Sequence, residues 1–291
     1  MQKPSDSDCK GGFFIKARTN SEYMPGNGAD VFSAPVISCG LKGAASGLRV
    51  ECYGSVESTN LEACERAAAG EPEGLVIAAE SQTSGRGRGG KRFFSPDGSG
   101  LYFSILLRPD CRLSDCGLLT AAAAVAVTEA IEAVSGKEAK IKWVNDILIG
   151  GKKVCGILTE ASTVGGGTRL DYAVVGIGIN VFEPEVGYPA EISETASSVF
   201  NGARGQGEIR AELAAFVLNN FFEYYKNLDK KVFLTAYKER SAVIGKEIKV
   251  IGASGSRAAH AVDIDGACRL VVRYGDGTEG VLSSGEISVR L

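Results

Sequence analysis

The chain has a single histidine, His260, in 291 residues. Zinc sites built from several histidines are therefore excluded, and a Ser-His-Asp or Cys-His nucleophile has one candidate base. Basic residues are not in excess either. Lys and Arg number 32 against 35 Asp and Glu, a formal charge of −3, so the overall electrostatic footprint of a nucleic-acid binder is missing and only a local patch is left to consider. None of the eight cysteines forms a CxxC pair, and the nearest two, Cys111 and Cys116, have no second pair or histidine to complete a zinc site. A chain of this length buries a large core without disulfides. The cysteines read as reduced thiols serving as small apolar residues, which is the expectation for a cytoplasmic protein. The N-terminus, MQKPSDSDCKGG, lacks the apolar core of a signal peptide, and no apolar run reaches the ~20 residues of a membrane helix. No internal repeat is visible. Glycine, by contrast, is abundant, with 38 residues.

The pattern along the chain is that of an α+β protein. Residues 1–47 are rich in Gly, Ser, Pro and Asn and read as a partly ordered extension without the paired short helices of a helix-turn-helix. Leu48–Tyr53 alternates like a strand. Thr59 and Glu62 have the spacing of a capping box for a helix over Leu61–Ala69, which Gly70 and Pro72 end. Strands follow at Leu75–Glu80 and Leu101–Leu107, then a long apolar helix over 114–134. Further strands are expected at Ala139–Trp143, Ile147–Ile149, Val154–Ala161 and Asp171–Ile177, with Gly150-Gly151 as a hairpin turn. Leu213, Phe216, Val217, Phe221 and Tyr224 recur at helical spacing within a helix from Glu208 to about Leu228, and a second helix covers Lys231–Glu239. After Gly245 the texture becomes short strands punctuated by glycine, the signature of a small β-barrel. The expected organisation is an N-terminal extension (1–47), a mixed-sheet catalytic domain packed with helices (48–241) and a small barrel (242–291).

Three stretches carry chemistry. The first is Ser84-Gly85-Arg86-Gly87-Arg88-Gly89-Gly90-Lys91-Arg92, where four cations sit among glycines. Glycine lets backbone N–H groups approach an anion, and arginine offers a bidentate fork for phosphate. Cations this dense repel one another, so the loop is expected to settle only around an anion. A solvated turn and an RNA-binding Arg-Gly tract are the competing readings, although such tracts are usually repeated. The loop is neither a Walker A motif nor a dinucleotide fingerprint. The second stretch is Lys142-Trp143-Val144-Asn145-Asp146, followed by Lys152-Lys153-Val154-Cys155-Gly156. Asn145-Asp146 reads either as a Mg²⁺ and base-edge contact or as a tight turn, and Lys153 either as an active-site cation or as a hairpin lysine. The third is Gly176-Ile177-Gly178-Ile179-Asn180, whose alternate glycines leave room for a ligand or mark a bulge.

Taken together and in this order, these stretches resemble the biotin–protein ligase family. The matching segments are STN (58–60), QTSGRGRGGK (82–91), KWVNDILIGGKKVCGIL (142–158), GIGIN (176–180) and GEISVRL (285–291), and the likeness spans Leu48 to Leu291. The resemblance implies a mixed-sheet catalytic domain followed by an SH3-like barrel, with biotin and ATP as substrates and Mg²⁺ as the metal. It implies formation of biotinyl-5′-AMP and transfer of biotin to a lysine of a biotin carboxyl carrier domain of acetyl-CoA carboxylase or a related enzyme. Arg88, Lys153 and Asp146 would be catalytic, with Asp146 also the metal contact and the acceptor of the lysine proton. Ser58, Thr59, Asn60, Gln82, Gly85, Arg86, Gly87, Arg88, Lys153 and Gly156 would hold biotin. Arg88, Lys91, Arg92, Phe93, Asn145 and Asn180 would face ATP. Val144 stands where the family commonly has proline, Phe93 where some members have tryptophan, and Gly89 where some have arginine. A lipoate-type ligase and a bifunctional ligase/repressor are the alternatives. The short, weakly helical N-terminal extension leads to the expectation of no DNA binding, and the lack of a membrane-length apolar run to that of no membrane association. An exposed sheet edge would be available to a second copy or to the acceptor.

Overall fold

The structure, a computed structural model, describes residues 30–202, 207–252, 255–283 and 286–289. Its centre is a seven-stranded mixed sheet in the order β1-β2-β3-β7-β6-β5-β4. The strands are β1 (Arg49–Val56), β2 (Leu75–Gln82), β3 (Gly100–Leu107), β4 (Lys140–Lys142), β5 (Asp146–Ile149), β6 (Lys152–Thr163) and β7 (Leu170–Asn180). Only β1 and β2 run parallel, because helix α2 (Thr59–Ala68) carries the chain back between them. The remaining pairs are antiparallel, and the β5–β6 hairpin turns at Gly150 and Gly151 with φ of 56° and 82°. Positive φ at both central residues matches the strand twist, which is why glycine fills both.

The central strands are buried on both faces, and the two faces differ. Val76, Ala78, Phe103, Ile105, Val175, Ile177 and Ile157 join the large core under α3 (Cys116–Ser135) and α4 (Ile209–Lys226). On the opposite face α2 covers only a small cluster of Ala63, Ala67, Leu75, Ile77, Leu106 and Val174. Beyond α2 the rows of that face read Ser104, Gly176, Leu158 and then Tyr102, Gly178, Gly156. Glycine at three of these six positions leaves the sheet bare, and the cavity lies there.

Helix α3 is apolar all round because it is enclosed: Ala121 through Val127 have no exposed surface. By length and composition the segment Leu113–Ser135 is long and apolar enough to cross a membrane, which corrects the expectation that no run approaches that length, yet it is mostly buried inside the protein. Gly136, with φ of 67°, closes it in the left-handed conformation. The cap of α2 also differs from expectation. Ser58 rather than Thr59 is the N-cap, and Glu62 turns to Arg66 instead of the backbone.

The expected extension is partly built into the fold. Residues 34–39 form α1 (Ala34–Cys39), which packs on α4 and β1, and Asp30 and Phe32 are buried. Packing therefore begins well before residue 48. Its anchor is Arg210 of α4, wholly buried, which holds Asp30 and Glu80 and lies 4.8 Å over the Phe32 ring.

After α5 (Leu234–Glu239), strands β8 (Glu247–Gly252), β9 (Gly255–Ile264), β10 (Leu270–Tyr274), β11 (Glu279–Leu282) and β12 (Glu286–Val289) form a five-stranded antiparallel sheet. This is the SH3-like unit of the α+β architecture. It docks through Trp143, whose Nε1 donates to the Cys268 carbonyl at 3.0 Å, and through Lys238–Asp263 at 2.8 Å. Among the described residues six cysteines are free thiols, and burial pushes those of Cys64 and Cys268 up to about 11 and about 12. Cys39 is disulfide-bonded, an exception to the expectation of reduced thiols throughout.

Candidate active site

The bare stretch of sheet floors a cavity of about 500 Å³. One wall is the first turn of α2. Ser58, Thr59 and Asn60 are polar yet almost fully buried there, and such groups must be hydrogen-bonded. Thr59 donates from its backbone N–H to Gln82 Oε1 at 2.9 Å, and Gln82 Nε2 donates to Ser95 Oγ at 2.8 Å. Ser104, buried on β3, lies 2.8 Å from Thr59 Oγ1 and 2.6 Å from Asn60 Oδ1. The Gly-Arg loop forms the roof. It closes on itself through a bridge between Arg86 and Arg92 and a 3₁₀ turn at Arg88–Gly90, with Gly89 at φ 63°.

The loop is more compensated than its sequence suggests. Arg86 pairs with Glu160 at 3.1 Å, Arg88 donates to Asn145 Oδ1 at 3.2 Å, and Arg92 donates to the Thr83 carbonyl at 3.0 Å. The expectation of uncompensated cations is corrected to that extent. The far wall is the β5–β6 hairpin. Asn145 is fixed by Nδ2 donating to the Ile157 carbonyl at 2.8 Å. Lys153 Nζ meets Asp146 Oδ1 at 2.6 Å, and its backbone is held on both sides by Thr195 and Ser197.

Of the expected residues, Ser58, Thr59, Asn60, Gln82, Arg86 and Gly87 line the cavity. Arg88, Lys91, Arg92, Phe93, Asn145, Asp146, Lys153 and Gly156 line it too. Gly85 and Asn180 do not. Gly85 is glycine for packing: a Cβ there would lie 2.5 Å from the Phe93 carbonyl. Asn180 turns to the Ser197 carbonyl at 3.0 Å. Phe93, expected on the nucleotide side, lies across the glycine floor, 6.0 Å from Lys153 Nζ and edge-on to Tyr102. The lone histidine is elsewhere, on β9 beside Glu247. Sequence reasoning left out Lys142 and Trp143 as lining residues, although both belong to a stretch it singled out. It also missed Ser104, Ser95 and Glu160, isolated residues whose part depends on contacts across the sheet.

The glycines of β7 have an assignable reason. A Cβ on Gly176 would sit 1.8 Å from Asn60 Oδ1, and one on Gly178 would sit 2.6 Å from the Phe93 ring. Neither glycine marks a bulge, since β3, β7 and β6 keep register through both. Gly176→Ala is expected to lose about 1–3 kcal/mol of stability by overpacking in chemical denaturation. Gly54→Ala, in open space on β1, serves as the control and should leave the midpoint unchanged.

Residues 55–180 match the model of the biotin/lipoate A/B protein ligase family, and residues 243–290 match that of the biotin protein ligase C-terminal domain. The chain is 32% identical over 278 residues to the bifunctional ligase/repressor BirA of Bacillus spizizenii, covering 94% of this chain and 85% of that protein. It is 30% identical over 257 residues to the biotin–[acetyl-CoA-carboxylase] ligase of Mycobacterium tuberculosis, covering 85% and 91%. The biotin protein ligase from Aquifex aeolicus in complex with biotin and ATP superposes with a TM-score of 0.68 at 29% identity, covering 83% of this chain and 98% of that one. This chain belongs to the biotin protein ligase family.

Proposed function

We propose that the protein condenses biotin with ATP to biotinyl-5′-AMP and then transfers the biotinyl group to one lysine of a biotin carboxyl carrier domain in a biotin-dependent carboxylase such as acetyl-CoA carboxylase. The observation that carries the proposal is the convergence, around one cavity, of a buried polar wall, a cationic roof and Lys153 on the β5–β6 hairpin. In the first step a biotin carboxylate oxygen attacks the α-phosphorus of ATP, and the bond to the β-phosphate oxygen breaks to release pyrophosphate. Both reactants are anions, so fixed cations must offset their repulsion and hold them in line. Lys153 serves the carboxylate and then the adenylate phosphate, while Arg88, Lys91 and Arg92 face the phosphates. Ser58, Thr59, Asn60 and Gln82, with the Arg86–Arg88 backbone, hold the ureido ring and chain of biotin, and Asn145 meets the adenine. In the second step the acceptor amine attacks the acyl carbon, AMP leaves, and Asp146 takes the amine's proton.

Asp146 is the single carboxylate among the cavity-lining residues, and no group of three or more metal-ligating side chains occurs among the described residues. That donor set suits a Mg²⁺ that arrives with the nucleotide, because Mg²⁺ takes one or two carboxylates together with phosphates and water. Asp146 would be its protein contact. Biotin is favoured over lipoate because the wall offers hydrogen bonds to a ureido ring, which a dithiolane cannot use. The test is exchange of labelled pyrophosphate into ATP with biotin and, in parallel, lipoate. Exchange with biotin is the expected result; exchange with lipoate alone would move the assignment to that branch.

The proposal extends to a domain division at residue 242 with residues 30–47 part of the catalytic unit they pack on, a cytoplasmic setting, and pairing of a second copy or the acceptor along the β1 edge. It also holds that the protein does not bind DNA. Among the described residues, 30–47 supply one six-residue helix and a 3₁₀ turn, both packed against the fold. Residues 1–29 lie outside the described residues. No retardation of an operator fragment at physiological salt is expected in a gel-shift assay, and a discrete shifted band would overturn this part.

A further inference from the structure

Glu160 sits on β6 behind the cavity wall and joins two parts of the site. Its Oε2 accepts from Asn60 Nδ2 at 2.9 Å, and its Oε1 pairs with Arg86 Nη2 at 3.1 Å. Asn60 Nδ2 also donates to the Leu158 carbonyl at 3.2 Å. A carbonyl and a carboxylate have no proton to give, so only the NH₂ end of the Asn60 amide can face them. Oδ1 then points to Ser104, in the space that Gly176 leaves open. With both Nδ2 hydrogens spent inside the protein, Asn60 has a single thing to offer a ligand in the cavity, a lone pair on Oδ1.

The other arm of Glu160 acts on the loop. Arg86, Arg88, Lys91 and Arg92 place four cations within seven residues, and mutual repulsion favours an open loop. An anion fixed in a strand at the loop's first arginine holds that half down before any substrate binds. In the second half, Arg88 and Arg92 donate to neutral oxygens, Asn145 Oδ1 and the Thr83 carbonyl. We propose that Glu160 is a positioning residue: it fixes Asn60 as a hydrogen-bond acceptor and pins the Gly-Arg loop through Arg86, so that the site selects a ligand presenting an N–H to this wall, as the ureido ring of biotin does. The choice of ligand rests on the biotin reading above; the pinning of Arg86 does not.

Two measurements on the full chain test this. In limited proteolysis without substrates, trypsin should cut after Arg86 several-fold faster in Glu160→Gln than in the native protein, with Glu160→Asp between them. In pyrophosphate exchange, Glu160→Gln should raise KM for biotin roughly ten-fold, the worth of one charge-assisted hydrogen bond. KM for desthiobiotin, which keeps the ureido ring, should rise equally, while kcat and KM for ATP stay within about two-fold and the melting temperature holds. Equal cleavage after Arg86 would overturn the pinning. An unchanged KM for biotin, or a parallel loss in all kinetic constants with a lowered melting temperature, would overturn the positioning of Asn60. If the native protein shows no exchange with biotin, the biotin reading fails and takes ureido selection with it, while the cleavage rates still decide on Arg86.

Discussion

Replacing Lys153 by alanine is expected to slow biotin-dependent pyrophosphate exchange by about 10²–10³-fold, equivalent to about 3–4 kcal/mol of lost charge stabilisation at the reacting phosphate. The variant should fold normally. The backbone N–H of Lys153 donates to Thr195 and its carbonyl accepts from Ser197, so β6 keeps its place without the side chain. The lost ion pair with Asp146 is about one-third exposed on the lysine side, and pairs of that kind contribute at most about 1 kcal/mol. Rate and stability are thereby separated: exchange collapses while the denaturation midpoint scarcely moves. Lys152→Ala, one position away and exposed on the hairpin, is the control and should exchange at the native rate. Lys153→Arg should recover part of the loss, since the charge survives but the compact ammonium does not. A near-native rate for Lys153→Ala would make this residue an ordinary hairpin lysine and remove the central cation from the proposed mechanism.

The sequence marks the parts of this site that depend on local backbone chemistry. Glycines at the Gly150-Gly151 turn, the Arg86–Gly90 loop and the β7 floor stand out because no other residue fits a positive φ or a close approach. Strand and helix periods place these stretches on the right elements to within a few residues. What sequence reading misses are pairings across long separations. Ser104 touches Asn60 across 44 positions, Glu160 touches it across 100, and Arg210 reaches Asp30 across 180. Nothing in the local pattern around Ser104, inside an apolar strand, separates a buried serine that orients a wall from one that merely fits. Asn180 shows the reverse. It ends a conspicuous motif, yet its amide is spent on the Ser197 carbonyl and holds the loop that backs Lys153. The capping signal at residues 58–62 misleads by one position: Thr59 has Glu62 at the capping-box spacing, whereas the N-cap is Ser58, whose side chain accepts from the Leu61 backbone N–H.

The packing of the N-terminal segment is missed for the same reason, and it leads to a large expected stability effect. Residues 30–47 lack periodicity, and composition alone makes them an extension, but a buried ion cluster ties them in. Arg210 has no exposed surface and Asp30 has none on its side chain, whereas Glu80 keeps about a quarter of its own. Burial works against the charge on the guanidinium, but hydrogen bonds to Glu80 and Asp30 outweigh it and raise the pKa above that of a free arginine. Arg210 also donates to the Gly100 carbonyl at 3.3 Å, so one side chain connects α4, β2, β3 and the N-terminal segment. Arg210→Met keeps much of the volume and removes the cation, which leaves a fully buried carboxylate without its partner. Breaking a buried pair from one side costs about 3–5 kcal/mol, a large share of the stability of any domain. Chemical denaturation should show the midpoint falling with little change in slope. Adding Asp30→Asn to Arg210→Met removes the stranded charge, and the double variant should recover part of the loss in a mutant cycle. Recovery would establish that the penalty lies in the unpaired carboxylate. If instead the double variant is destabilised by the sum of the two single changes, the cluster does not act as a unit, and residues 30–47 are held by Phe32 and α1 packing alone.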